Sequence, residues 1–167
     1  MSWLIRRWAV GGLVALVLAL AGCASVPKPP AGATAENGPW SGRLAVQVQD
    51  QPGQSFSAGF ELKGSAVAGE LLLFSPIGGT LAVLDWQPGH ARLQSNSRTR
   101  EFDSVDALVA EVSGTAIPVH ALFDWLRGIA TPAAGWQADL SQLAQGRIAA
   151  KRVAPPPEAD LRVVLER

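Results

Sequence analysis

Between Trp40 and Phe102 the chain is a succession of short apolar–polar alternations separated by turns of only a few residues. Leu44, Val46 and Val48 alternate with Arg43, Gln47 and Gln49, the period of a strand with one buried face. Asp50-Gln51-Pro52-Gly53 is a turn signal. Phe56, Ala58, Phe60 and Leu62 then alternate with Ser55, Ser57 and Glu61. After Lys63-Gly64-Ser65, Val67 to Phe74 reads as a third strand. Ser75-Pro76-Ile77-Gly78-Gly79 breaks it, and Thr80 to Trp86 reads as a fourth. Beyond Pro88-Gly89, Ala91–Gln94 and Thr99–Phe102 form a further hairpin. Connections this short do not permit crossovers, so the strands pair as an antiparallel meander.

The period then changes. Val105, Leu108, Val109 and Val112 fall on one face of a helix, with Asp103 placed to cap its start and Gly114 its end. Pro118 opens a second helix, along which Val119, Leu122, Phe123 and Leu126 line one side, with Trp125 at the border. Gly128 ends it. Strand patterns return, weakly, after Gly135-Trp136, at Gly146–Val153 and at Leu161, Val163 and Leu165. Pro155-Pro156-Pro157 separates the last two as an extended connector. Two short helices among strands must lie over the sheet, because nothing else buries their apolar faces. The chain is mainly β.

Leu71–Phe74 and Leu81–Trp86 are apolar on both faces, apart from Asp85. An antiparallel sheet covered on one side by helices usually shows polar residues on the other. Two arrangements fit: a tightly packed core, or a sheet curled around an apolar cavity with the helices as a lid.

The start of the chain sets the compartment. Arg6 and Arg7 precede an apolar run from Trp8 to Leu20, which ends in Leu20-Ala21-Gly22-Cys23. A basic start, an apolar stretch and small residues make a secretory signal. A transmembrane anchor is the competing reading, but the run contains Gly11 and Gly12 and is shorter than the roughly 20 residues a span needs. Cys23, the only cysteine, stands where it resembles the lipobox cysteine of bacterial lipoproteins. That resemblance implies cleavage before Cys23 and acylation of its thiol and amino group. Residues 1–22 are then a signal peptide, 23–39 a lipidated tether rich in proline and alanine, and 40–167 the folded domain. Extended, the tether holds the domain at most about 40 Å from the bilayer.

Two of the 14 basic side chains lie in the signal and none of the 14 acids does, leaving the mature chain near neutrality. A nucleic-acid partner would call for a basic face. With Cys23 acylated no thiol remains for disulfides, zinc or catalysis. No G-x-S-x-G, H-E-x-x-H, P-loop or dinucleotide fingerprint is present. His90 in a turn and His120 in a first helical turn lack the partners of a general base. Arg98-Thr99-Arg100-Glu101 and Lys151-Arg152 read as solvated surface, and Asp85 as a polar contact. No catalytic residue, metal ligand or cofactor is expected.

Trp40-Ser41-Gly42-Arg43-Leu44-Ala45-Val46, Leu71-Leu72-Leu73-Phe74-Ser75-Pro76-Ile77-Gly78-Gly79-Thr80, Gln87-Pro88-Gly89 and Gly114-Thr115-Ala116-Ile117-Pro118 running into Leu122–Gly128 follow one another behind the lipobox. In this order and spacing the chain resembles the outer-membrane lipoprotein receptor family LolB of the lipoprotein-sorting system. The resemblance implies an incomplete antiparallel β-barrel with a helical lid over an apolar cavity. It implies a monomer that takes lipoproteins from the soluble periplasmic carrier LolA, holds their acyl chains and places them in the outer membrane. Ala24 after Cys23 fits that destination, since the common inner-membrane retention signal is an aspartate there.

Read without the family, Ile77 would be half-buried. The resemblance instead puts it on a protruding loop, Pro76-Ile77-Gly78, that helps insert cargo into outer-membrane lipid. Phe60, Leu72, Phe74, Leu84 and Trp86 on the sheet, with Leu122, Trp125 and Leu126 on the lid, are the expected cavity lining. The chain departs from the family after Gly128, where the segment before Gly135-Trp136 is shorter and the terminal strand lacks the usual length. The competing readings are an envelope scaffold lipoprotein that binds protein partners without lipid transfer, a lipid-anchored hydrolase, and the soluble carrier LolA itself, against which Cys23 argues because a shuttle must not be anchored.

Overall fold

A computed structural model of the chain describes residues 38–166 except 51, 52, 54 and 134. The expectations for the signal peptide, for Cys23 and for the tether up to residue 37 fall outside those residues. Nine strands form one antiparallel sheet: β1 (Trp40–Val48), β2 (Phe56–Gly64), β3 (Gly69–Phe74), β4 (Thr80–Gln87), β5 (His90–Ser95), β6 (Arg98–Phe102), β7 (Trp136–Asp139), β8 (Arg147–Arg152) and β9 (Ala159–Leu165). Two helices, α1 (Val105–Ser113) and α2 (Val119–Leu126), stand between β6 and β7.

The spatial order is β6-β5-β4-β3-β2-β1-β9-β8-β7. The meander β1 to β6 grows outward from β1 on one side. After the helices, the chain adds β9, β8 and β7 on β1's other side. The sheet ends at β6 and β7, which are not bonded to each other, so the barrel is open.

Period-two alternation sorts every strand into an inner and an outer face. One inner row runs Trp40, Leu62, Leu71, Leu84 and Leu93 across β1 to β5. The next outer row runs Lys63, Glu70, Asp85, Arg92 and Glu101. In that outer row Asp85 accepts from Arg92 Nε at 3.0 Å, an ordinary surface ion pair. Gly42 allows β1 and β9 to come together, because a Cβ there would stand 2.0 Å from the Val164 carbonyl oxygen.

The helices cover the inner face. Leu108 is fully buried, and Val119, Ala121, Phe123 and Leu126 are buried with it. Phe123 meets the rings of Trp40 and Trp86 edge-on, at centroid distances of 5.6 and 6.3 Å. Some local readings need correction. The first helix is capped by Ser104, whose Oγ accepts from the Ala107 N–H at 3.2 Å, and not by Asp103, which lies one residue too early. Val67 is in the β2–β3 turn, 65% exposed, because β3 starts at Gly69. Trp136–Asp139, too short to show alternation, is the edge strand of the second wing.

Candidate functional site

Between sheet and helices lies a cavity of about 80 Å³. From α1, Val105, Val109 and Val112 face it, and from α2, Val119, Leu122, Phe123 and Leu126 do. These are helical spacings, so each helix contributes one stripe. The sheet contributes Leu44, Val46, Phe60, Leu71, Leu73 and Leu84 among others. Two lining residues carry polar side-chain atoms: the Ser113 hydroxyl is turned onto the carbonyls of Val109 and Thr115, each 2.7 Å away, and Trp86 Nε1 donates to the Ser65 carbonyl at 2.9 Å. The cavity therefore offers a guest only hydrocarbon.

Of the residues expected here, Phe60, Leu84, Trp86, Leu122 and Leu126 line the cavity. Leu72 and Phe74 do not. Leu71 and Leu73 take the inner positions of β3, so strand alternation turns Leu72 and Phe74 outward. Trp125 is fully buried but packs away from the cavity. Its ring lies 6.5 Å from that of Trp136, and its Nε1 donates to the Thr131 carbonyl at 3.0 Å. Leu71, Leu73 and the α1 valines line the cavity beyond the expected set. The 105, 109, 112 spacing was a usable signal for the valines, because that stripe must face the same space as the α2 stripe.

The lid is fastened by polar bonds. Trp136 Nε1 donates to the Ala116 carbonyl at 2.8 Å, and the Arg152 guanidinium, buried and not solvated as the Lys151-Arg152 run suggests, donates to Thr115 Oγ1. Both pin the loop between the helices to β7 and β8. The Val119 N–H donates to Asp106 Oδ1 at 3.3 Å, joining the helices to each other. Beyond α2, Asp124 accepts from Thr131 Oγ1 at 2.5 Å and from Arg127. The Thr131 hydrogen bond, and after it that of Arg127, holds the Asp124 carboxyl below its ordinary value.

The β3–β4 connection has the opposite character. Ile77 is 96% exposed, so it adds nothing to the core. Its position is nevertheless fixed. The Gly78 N–H donates to the Ser75 carbonyl at 2.9 Å and the Ser75 N–H to the Gly79 carbonyl at 2.8 Å. Ser75 Oγ accepts from the Gly79 N–H at 3.0 Å. Pro76 restricts φ before the tip, and Gly78 takes a φ of 88° that suits glycine alone. The half-buried reading of Ile77 is thus overturned: the loop's backbone bonds close on themselves, and the side chain stands clear of the sheet.

His90 opens β5 and does not lie in the turn before it, and His120 is exposed on α2, where it adds to the lowering of the Asp124 carboxyl after Thr131 and Arg127. Among the described residues no group of three or more His, Cys, Asp or Glu is placed to hold a metal ion.

Comparison with known proteins agrees with this architecture. The family model described as outer membrane lipoprotein LolB matches residues 39–154. A relative in Bordetella petrii, named outer-membrane lipoprotein LolB, is 41% identical over 154 residues, covering 87% of this chain and 73% of its own. One of the same name in Bordetella parapertussis is 38% identical over 126 residues, covering 73% of this chain and 63% of its own. Another, in Chromobacterium violaceum, is 32% identical over 126 residues, with 72% and 68% covered. The open nine-stranded barrel, its two-helix lid and the extent of these matches place the chain in the outer membrane lipoprotein LolB family.

Proposed function

We propose that this chain is a lipid-anchored receptor at the periplasmic face of the outer membrane. It accepts lipoproteins from the periplasmic carrier LolA by taking their acyl chains into the cavity, and it delivers them into the membrane. The observation that carries the reading is the pairing of a cavity lined by hydrocarbon with an apolar side chain, Ile77, held 96% exposed on a closed turn. The family's name, outer membrane lipoprotein, agrees with the membrane and the anchor.

The energetics require such a route. Each methylene of an acyl chain exposed to water costs about 0.8 kcal/mol, so one long chain costs on the order of 10 kcal/mol. A guest must pass from one apolar enclosure to another. Pockets that enclose a drug-sized molecule run to about 300–1,000 Å³. The cavity here is about 80 Å³, so the guest enters only as the lid lifts. Closure over hydrocarbon keeps the empty receptor from exposing its lining. With no nucleotide motif in the sequence, direction comes from a series of affinities rising from carrier to receptor to membrane. Cys23 supplies the anchor, and Pro76, Ile77 and Gly78 the point of delivery. A protein-binding scaffold would need neither cavity nor exposed isoleucine.

Depletion of the protein in its source bacterium tests the reading. Outer-membrane lipoproteins should accumulate short of the outer membrane. Normal arrival in depleted cells with no second receptor would refute it.

A further inference from the structure

The apolar residues on the outer face of β3 and β4 have no role in the cavity. Leu72 and Val83 face each other across the two strands, and Phe74 continues the stripe toward the Pro76-Ile77 tip. All three are half-buried, and none packs against the hydrophobic core. A bulge at the loop end of β4 leaves Leu81 as the extra residue, 45% exposed. One row farther from the loop, the same face turns charged: Lys63, Glu70, Asp85 and Arg92.

Along β3 and β4 the outer face therefore grades from apolar at the loop to charged two rows away, each row being about 7 Å deep, while on the neighbouring β2 Glu61 stands directly beside Leu72. A surface fully in water has no use for such a gradient, whereas a surface seated in a bilayer interface does. The charged row sets the limit, since charges resist entry into hydrocarbon. The start of the folded domain lies on this face as well. Pro39 and Ser41 line one surface recess together with Phe74, Ser75 and Pro76, and the charged Arg43, Glu61 and Glu166 border it on the side away from β4.

We infer that the outer face of β3–β4, comprising Leu72, Phe74 and Val83, is a membrane-seating surface that enters the phospholipid interface together with Ile77, as far as the row containing Asp85 and Arg92. The inference rests on the delivery role of the loop and extends it. Insertion involves a patch that fixes the angle of the barrel on the bilayer, and the barrel is seated with β3–β4 toward the lipid.

Cys23 is the only cysteine, so once it is acylated a single introduced thiol can be labelled selectively. The lipidated full chain carrying Ile77→Cys, Phe74→Cys, Val83→Cys or Arg92→Cys is labelled with an environment-sensitive fluorophore. Each variant is mixed with phosphatidylethanolamine–phosphatidylglycerol vesicles containing brominated acyl chains. Each must keep the parent's unfolding midpoint, and Leu72→Cys replaces either sheet variant that does not. Labels at 77, 74 and 83 should be quenched, with depth decreasing from 77 to 83, while the label at 92 remains aqueous. Quenching at 77 alone would overturn the seating surface and leave the delivery loop standing. No quenching at 77 would overturn both. Labels at 74 and 83 that respond to the carrier protein but not to vesicles would mark a protein-docking face and overturn the inference.

Discussion

Ile77→Ala separates stability from delivery. The substitution removes three carbon atoms from a side chain that is 96% exposed in the folded protein. In the folded state those atoms contact water, so unfolding free energy should change by less than about 0.5 kcal/mol. In the membrane-engaged state they are buried in hydrocarbon. At about 0.8 kcal/mol each, their loss weakens engagement by about 2.4 kcal/mol. With tenfold in equilibrium for every 1.4 kcal/mol, this is about fiftyfold. The assay follows a labelled lipoprotein from the carrier through the receptor to vesicles, with separate readouts for acceptance and for insertion. Acceptance should be unchanged, because Ile77 does not line the cavity. Insertion should fall by about fiftyfold, and Ile77→Glu should accumulate receptor-bound cargo. Full insertion by the alanine variant would refute the reasoning. A thermal midpoint lowered by several degrees would also refute it, since Ile77 would then have a packing role that its exposure denies.

Leu84 is 1% exposed in the inner row, so Leu84→Ala should cost about 2–5 kcal/mol and enlarge the cavity, seen as tighter uptake of an apolar fluorescent probe in the folded fraction. Thr115→Val leaves the buried Arg152 guanidinium without its Thr115 hydroxyl partner and should destabilise the lid loop by about 1–3 kcal/mol. Faster amide exchange at residues 114–118 would show this. The Asp124 carboxyl is depressed by Thr131 and then by Arg127, so its contribution is complete above the unfolded carboxyl value and lost as pH falls through the lower folded one. Acidification through that window should speed exchange of the Ile129 N–H, which bonds the Asp124 carbonyl, and Thr131→Val should move the window upward. An Asp124 titration at its ordinary value would contradict the structure.

The meander was legible in the residues because alternation and turn signals are local. Leu44, Val46 and Val48 on β1 face inward with Leu161 and Val163 on β9 as their period demands. The lid was legible for a similar reason: one apolar stripe per helix. The faces of β3 and β4 were not. Leu71, Leu72, Leu73 and Phe74 are all apolar, and period two cannot assign phase to an unbroken apolar run. Only pairing with Phe60, Glu61 and Leu62 on β2 fixes it. The same ambiguity concealed the outer stripe, because an apolar residue on either face reads as core. Trp125 was misplaced because its destination, Trp136, lies on a strand too short to announce itself. The exposure of Ile77 also depends on what fails to cover it, which a single sequence does not encode.

The central claim is that acyl chains of a client occupy the space under the lid on their way to the membrane. A photo-crosslinker placed at Leu122, half-buried on α2 and lining the cavity, tests it most directly. The receptor receives a lipoprotein with labelled acyl chains from its carrier, is illuminated, and is then compared with a sample chased with vesicles. The account predicts a crosslink to the acyl chains before the chase, loss of that crosslink after it, and none from a control position at Arg162 on the outer face. Efficient transfer to vesicles with no acyl crosslink at Leu122 would contradict it.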